Sequence, residues 1–120
     1  MARKAEKPVD INMRKRANVQ VIQLRGALRM GEAVDKFRQT LEEAATSGDN
    51  RMVLDLGEMP SIDSSGIGVL VKAMASAKQR GGALKLVNPS KFAIQTLKLV
   101  GVLNLFEVFD SEEMAVASFQ

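Results

Sequence analysis

Residues 51–70 read Arg-Met-Val-Leu-Asp-Leu-Gly-Glu-Met-Pro-Ser-Ile-Asp-Ser-Ser-Gly-Ile-Gly-Val-Leu, and the pattern changes twice within them. Arg51 to Leu56 holds the apolar run Met52-Val53-Leu54, expected of a central strand covered by helices. Gly57 to Asp63 is a loop. Ser64-Ser65 then opens a helix reaching about Arg80, whose Ile67, Leu70, Val71, Met74 and Ala77 share one face. A strand passing through a loop into an amphipathic helix is the first half of a βαβ unit.

Toward the C-terminus the alternation of strand and helix continues. Gly81-Gly82 ends the helix, Ala83 to Val87 forms a strand, and Pro89-Ser90 starts a third helix with Phe92, Ala93, Leu97 and Val100 available for packing. Leu105 to Phe109 is expected to be the last strand. Asp110 or Ser111 caps a final helix, where Glu112 and Glu113 suit the positive end of the dipole and Met114, Val116 and Phe119 supply the apolar side. Toward the N-terminus, Val34, Phe37, Leu41 and Ala44 line one face of a helix from about Glu32 to Thr46, with Gly48 as its stop. Asn18 to Leu24 is rich in β-branched residues and reads as a strand that ends at Gly26. Val9, Ile11 and Met13 alternate with polar residues up to Arg14, giving another strand, with a hairpin turn across Lys15–Asn18.

These elements predict an α/β fold: a mixed sheet of about five strands with four helices in the order β-β-α-β-α-β-α-β-α. Strands joined through helices pair in parallel with right-handed crossovers, and the opening hairpin adds an antiparallel edge. Which face each helix covers is not legible from the pattern. Residues 8–120 are expected to form a single domain, and residues 1–7 a disordered tail.

Composition removes several function classes. The chain has 120 residues with no cysteine and no histidine. Disulfides, thiol chemistry, a Ser-His-Asp triad and histidine metal ligands are therefore excluded, and no stretch resembles a calcium-binding loop, so no metal or other cofactor is expected. Tryptophan and tyrosine are absent too, leaving five phenylalanines as a poor platform for stacking bases. The net charge of +3 lies at one end: residues 1–16 carry +4 and the remaining 104 carry −1. A basic leading segment, not a basic folded face, is the simpler reading, so no nucleic acid partner is expected. No apolar run approaches the ~20 residues that span a bilayer, so membrane insertion is not expected. The N-terminus lacks the apolar stretch of a secretory signal, which makes the cytoplasm the expected compartment.

The chemistry concentrates at Asp63-Ser64-Ser65-Gly66-Ile67-Gly68. A helix N-terminus leaves backbone N–H groups unpaired and carries partial positive charge, and Gly66 and Gly68 leave the first turn lightly covered. Such a place accommodates a phosphate. Asp-Ser-Ser is equally an ordinary helix cap, and local physics leaves both readings open. A serine nucleophile fails for want of a Gly-x-Ser-x-Gly elbow and a histidine base, and nothing brings Lys72 to Ser64 as a substitute. The chain does not read as an enzyme.

Met52-Val53-Leu54-Asp55-Leu56, IDSSGIGVLV and GGALKLVNPS together resemble the STAS domain, the family of bacterial anti-sigma factor antagonists, and the resemblance runs from Val9 to Phe119. It implies a non-enzymatic protein switch. The unmodified protein would bind an anti-sigma factor that is a serine kinase and so free a sigma factor. The kinase would phosphorylate the first serine after the aspartate, here Ser64, and a metal-dependent serine/threonine phosphatase would remove the mark. The implied partner-facing set is Asp63, Ser64, Ser65, Gly66, Ile67 and Gly68, with Asp63 supporting partner contact, Ser65 capping the helix, and Gly66 and Gly68 admitting close approach. One position departs from the family: Gly26-Ala27-Leu28-Arg29-Met30-Gly31-Glu32 places Arg29 where many antagonists have an acidic residue, which bears on partner choice. A scaffold or accessory subunit of a stress-signalling or lipid-transport complex is the alternative that the same resemblance allows. Nucleotide binding, reported for some members, finds no phosphate loop here.

Overall fold

Ala17 and Asn18 both take left-handed backbone angles, φ 48° and 65°, in a two-residue turn whose twist matches that of the strands it joins. The turn sets the register of β1 (Asp10–Arg16) on β2 (Val19–Arg25), with Arg16 opposite Val19 and Asp10 opposite Arg25. The structure, a computed structural model, describes residues 9–46 and 50–120. The expected tail over residues 1–7 and the helix stop at Gly48 lie outside the described residues. The turn is tighter than the sequence suggested, because β1 continues through Arg16 and only two residues reverse the chain.

After β2 come α1 (Glu32–Thr46), β3 (Arg51–Glu58), α2 (Ser64–Gln79), β4 (Ala83–Val87), α3 (Lys91–Leu99), a 3-10 turn at Leu103–Leu105, β5 (Val108–Phe109) and α4 (Glu112–Ala117). The sheet order is β1-β2-β3-β4-β5, antiparallel at β1–β2 and parallel throughout the rest. This is the expected α/β mixed sheet of five strands with four helices.

The strand order settles which face the helices cover. Successive right-handed crossovers that all step in one direction place their helices on one side of the sheet. Accordingly Met52, Leu54 and Leu56 of β3 join Ile22, Leu24, Leu84 and Leu86 in one core with Phe37 and Leu41 of α1, Leu70 and Ala77 of α2, and Ala93 and Leu97 of α3. The alternate residues Val19, Val21, Val53 and Val87 point the other way and are covered by Ala115 and Val116 of α4. That short helix is also held by charge. Glu112 bonds both Arg14 and Arg16 of β1, the latter at 2.7 Å. Burial works to raise the Glu112 carboxyl, but the hydrogen bonds from the two guanidinium groups outweigh it and hold the group below its ordinary value. On the same side Lys85, buried in β4, donates to Ser118 Oγ at 2.8 Å and lies 4.2 Å from the centre of the Phe119 ring.

Three expectations are corrected. The last strand shrinks from Leu105–Phe109 to two residues, because i→i+3 bonds from Leu105 N to Val102 O and Phe106 N to Leu103 O wind the preceding apolar run into a 3-10 turn. In α3 only Ala93 and Leu97 are buried, while Phe92 and Val100 are 42% and 50% exposed. In α4 it is Ala115 that turns inward beside Val116, leaving Met114 in solvent. The five residues named for α2 behave less uniformly: Leu70 and Ala77 are buried, whereas Ile67, Val71 and Met74 are half-buried against the core. The expected caps of α3 and α4 are in place, Ser90 accepting from Ala93 N and Ser111 from Met114 N.

Candidate functional site

Two segments more than thirty residues apart meet at the N-terminus of α2. The loop leaving β3 reverses with Gly57 N bonded to Asp55 Oδ1, buries Met59 and Ile62, and then starts the helix. The loop leaving β2 runs beside it: Leu28 N donates to Ser61 O at 2.9 Å, Asp63 N donates to Leu28 O at 3.1 Å, and Leu28 and Ile62 form a parallel bridge. Buried Leu28 and Ile62 pin this junction to the core, so both loops are fixed by main-chain bonds and two apolar side chains.

Asp63 joins the two loops through its carboxylate. Oδ1 accepts from Ser65 Oγ at 2.5 Å and from Gly66 N at 3.1 Å, while Oδ2 accepts from Met30 N at 2.8 Å. These bonds, the Ser65 hydroxyl first and the Met30 amide next, lower the Asp63 pKa from 3.8 to about 2 against a partial desolvation that acts to raise it. The residue has extended backbone angles and is the N-cap of α2. This corrects the assignment of the cap to Ser65, whose hydroxyl donates to the capping carboxylate instead of accepting a helix N–H. Aspartate succeeds here because it accepts three bonds at once, two from its own helix and one from the neighbouring loop.

The other residues of the expected set divide by environment. Ser64 is the first helical residue and is exposed. Gly66 is buried, and a Cβ there would lie 2.9 Å from Leu28 Cγ and 3.0 Å from Ile62 Cγ1. Its bareness therefore admits the chain's own core side chains, a packing role that the sequence did not show. At Gly68 a Cβ would meet nothing within 4 Å. Ile67 is half-buried against the core. Arg29 is exposed, and its Nε donates to Ser61 Oγ at 3.1 Å. Lys72, eight residues along α2 from Ser64, is separated from it by about 12 Å of helix rise. The structure thus brings Arg29 to the Asp63–Ser65 corner and leaves Lys72 away from it.

Sequence reasoning missed Met30 and Ser61. Met30 supplies an amide to Asp63 and exposes 78% of its own surface beside the site, and Ser61 receives Arg29. Neither carries a local signal, since both acquire their roles only when the loops pair.

The STAS domain family model matches residues 10–115. The chain belongs to this family. BtrV of Bordetella bronchiseptica, a protein named as an anti-sigma factor antagonist, is 29% identical over 97 residues, covering 81% of this chain and 83% of BtrV. The crystal structure of TM1081 from Thermotoga maritima, also named as an antagonist, superposes with a TM-score of 0.82 at 24% identity, over 90% of this chain and 92% of that one. SpoIIAA superposes in its unphosphorylated form with a TM-score of 0.79 over 92% and 96% of the two chains. Its phosphorylated form, from Bacillus, gives 0.74 over 92% and 100%, both at 22% identity. At these identities the structural likenesses establish a shared fold. Within this STAS domain, then, the corner where the β2 and β3 loops meet α2 is a rigid platform that presents Ser64, Arg29 and Met30 outward.

Proposed function

We infer that this STAS domain is an anti-sigma factor antagonist acting in the cytoplasm. Unmodified, it binds an anti-sigma factor that is itself a serine kinase, through the surface around Ser64. Phosphorylation of Ser64 by that kinase ends the binding, and a serine/threonine phosphatase restores it. One observation carries the reading. Ser64 is the exposed first residue of α2, while its neighbours Asp63 and Ser65 bond each other. Of the two adjacent serines, Ser64 is the accessible one. The names of the relatives and the two states in which SpoIIAA has been solved support the same assignment.

A phosphate adds about −1.5 to −2 charges at pH 7 beside an already ionised Asp63. The helix terminus offsets part of this, by about 0.3–1 kcal/mol, so the fold survives. A partner surface matched to a bare hydroxyl meets instead a bulky anion that must be desolvated. A cost of about 2.7 kcal/mol suffices to weaken binding ~100-fold. The test is incubation with the cognate kinase and ATP, phosphosite mapping, and partner pull-down. Ser64→Ala should fold, resist phosphorylation and hold the kinase constitutively; Ser64→Asp should fold and bind weakly. Phosphate mapping to Ser65, or wild-type affinity in Ser64→Asp, refutes the switch.

A further inference from the structure

We propose that Arg29 is the internal receptor for the phosphate on Ser64: on modification its guanidinium leaves the Ser61 hydroxyl and pairs with the phosphoryl oxygens. The proposal deepens the Ser64 switch and rests on that reading. Its grounds are the placement and the spare bonding capacity of one side chain. The main-chain bonds of Leu28 to Ser61 and Asp63, and of Met30 to the Asp63 carboxylate, hold the backbone of Arg29 directly alongside residues 61–63. From there the side chain already reaches across to Ser61 Oγ, three residues before Ser64. Its present partner is a neutral hydroxyl bonded through Nε, and among the described residues no carboxylate pairs with the two terminal nitrogens, the part of the fork that matches phosphate.

Four other arginines differ in this respect. Arg14 and Arg16 are bonded to Glu112, Arg25 to Glu58 and Arg38 to Asp35. The nearest carboxylate to the site, Asp63, has both oxygens engaged by Met30, Ser65 and Gly66. Arg29 therefore faces little internal competition when a dianion appears on the exposed serine that opens α2. Exchanging a hydroxyl for a phosphate turns a neutral hydrogen bond into a charge-assisted, bidentate one. A consequence follows for recognition. In the unmodified protein Arg29 stands as a free positive charge for an acidic group on the partner. In the modified protein the same charge is neutralised from within. Phosphorylation would then remove an attractive contact as well as add a repulsive one, and an arginine at this position becomes part of the switch.

The test uses full-length protein carrying phosphoserine at position 64 and needs no partner. Phosphorus NMR titration reads the second ionisation of the phosphate, ordinarily near pH 6. In the otherwise wild-type protein it should fall by about 0.5 unit or more relative to Arg29→Ala, because a neighbouring cation favours the dianion. Arg29→Lys should keep part of the shift. Nitrogen-15 spectra should show the Arg29 Nε resonance moving on phosphorylation. Equal titration midpoints in wild type and Arg29→Ala overturn the proposal. Since the titration is independent of any kinase, that failure would leave the partner-binding role of Ser64 standing, and a failed pull-down would leave the Arg29–phosphate contact standing.

Discussion

Replacing Asp63 isolates what the corner contributes to stability. Asp63→Ala removes the acceptor for Gly66 N, Ser65 Oγ and Met30 N together. Loss of an N-cap alone costs about 1 kcal/mol, within a range of 0.5–2. The ionisation gives a second route to the magnitude. A carboxyl lowered from 3.8 to about 2 corresponds to about 2.4 kcal/mol in full. Asp63 is solvent-accessible, so screening reduces this to about 1 kcal/mol. The two routes agree, and Asp63→Ala should cost about 1–2 kcal/mol, or roughly 4–8 °C of melting temperature. Asp63→Asn should cost about 1 kcal/mol: its oxygen can still cap the helix, but its amide nitrogen faces the Met30 N–H, a donor against a donor. The sign of the pH dependence is set by the lowered folded value. As pH falls the unfolded chain takes up the proton first, near pH 4. The stabilisation is therefore complete above about pH 4 and is lost as pH drops toward 2. Urea melts of wild type and both variants at pH 6 and pH 2 read this directly. The gap between wild type and Asp63→Asn should be about 1 kcal/mol at pH 6 and close to nothing at pH 2. A gap that persists at pH 2, or an Asp63→Ala protein within 0.3 kcal/mol of wild type at pH 6, refutes the reasoning.

The two glycines of the helix start should respond oppositely. Gly66→Ala forces a methyl against Leu28 and Ile62 and should cost about 1–2 kcal/mol, overpacking exceeding the gain in helix propensity; Gly68→Ala enters open space and should stabilise by up to about 1 kcal/mol, both read from denaturant midpoints. At the far end of the sheet, Lys85→Ala removes the ammonium that bonds Ser118 and sits over Phe119, so α4 should loosen. Hydrogen exchange should then accelerate at residues 115–119 by tenfold or more while β3 amides change little, and uniform protection across both would count against local anchoring.

Much of the fold was legible because most elements carry their own punctuation. Ala83–Val87 lies between Gly81-Gly82 and Pro89-Ser90, and both of its ends were placed without the structure. The stripe Val34, Phe37, Leu41 and Ala44 proved to be the buried face of α1. Failures came where apolar residues occur without a partner to bury them. Val102 to Phe109 is a largely apolar run that suits a strand or a turn, and only contact with β4, limited to Leu86–Val108 and Val87–Phe109, decides which part extends. Phe92 and Val100 are apolar yet exposed, and nothing local distinguishes them from Ala93 and Leu97. At the site, the emphasis on Ser64 came from the family resemblance, and the division of labour within Asp-Ser-Ser-Gly was not legible at all. That Asp63 caps, Ser65 braces and Gly66 makes room for Leu28 follows from a loop that arrives from thirty-five residues upstream.

The way the corner is built separates the groups that hold the fold from the side chains that face outward. The β2 loop is tied to the β3 loop by Leu28 N, Leu28 O and Met30 N, all main-chain groups available whatever side chains occupy the segment. Structural demand on side chains falls on Leu28, Met59 and Ile62, which fill the core, on Asp55, which turns the β3 loop, on Asp63 and Ser65, which start the helix, and on a glycine at position 66. Ser64, Arg29 and Met30 face outward, and Arg29 bonds the half-buried Ser61. An exposed charge can thus be reversed at position 29 with little effect on folding, since surface substitutions away from caps and core usually stay within about 0.5 kcal/mol. The same reversal changes the potential that a docking protein meets, where like-charge juxtaposition costs several kcal/mol. Backbone and core thus set the platform, and the exposed side chains standing on it carry little of the fold. Arg29, held alongside residues 61–63 and bonded to Ser61, is a side chain whose exchange alters the charge this surface presents without touching the caps or the core.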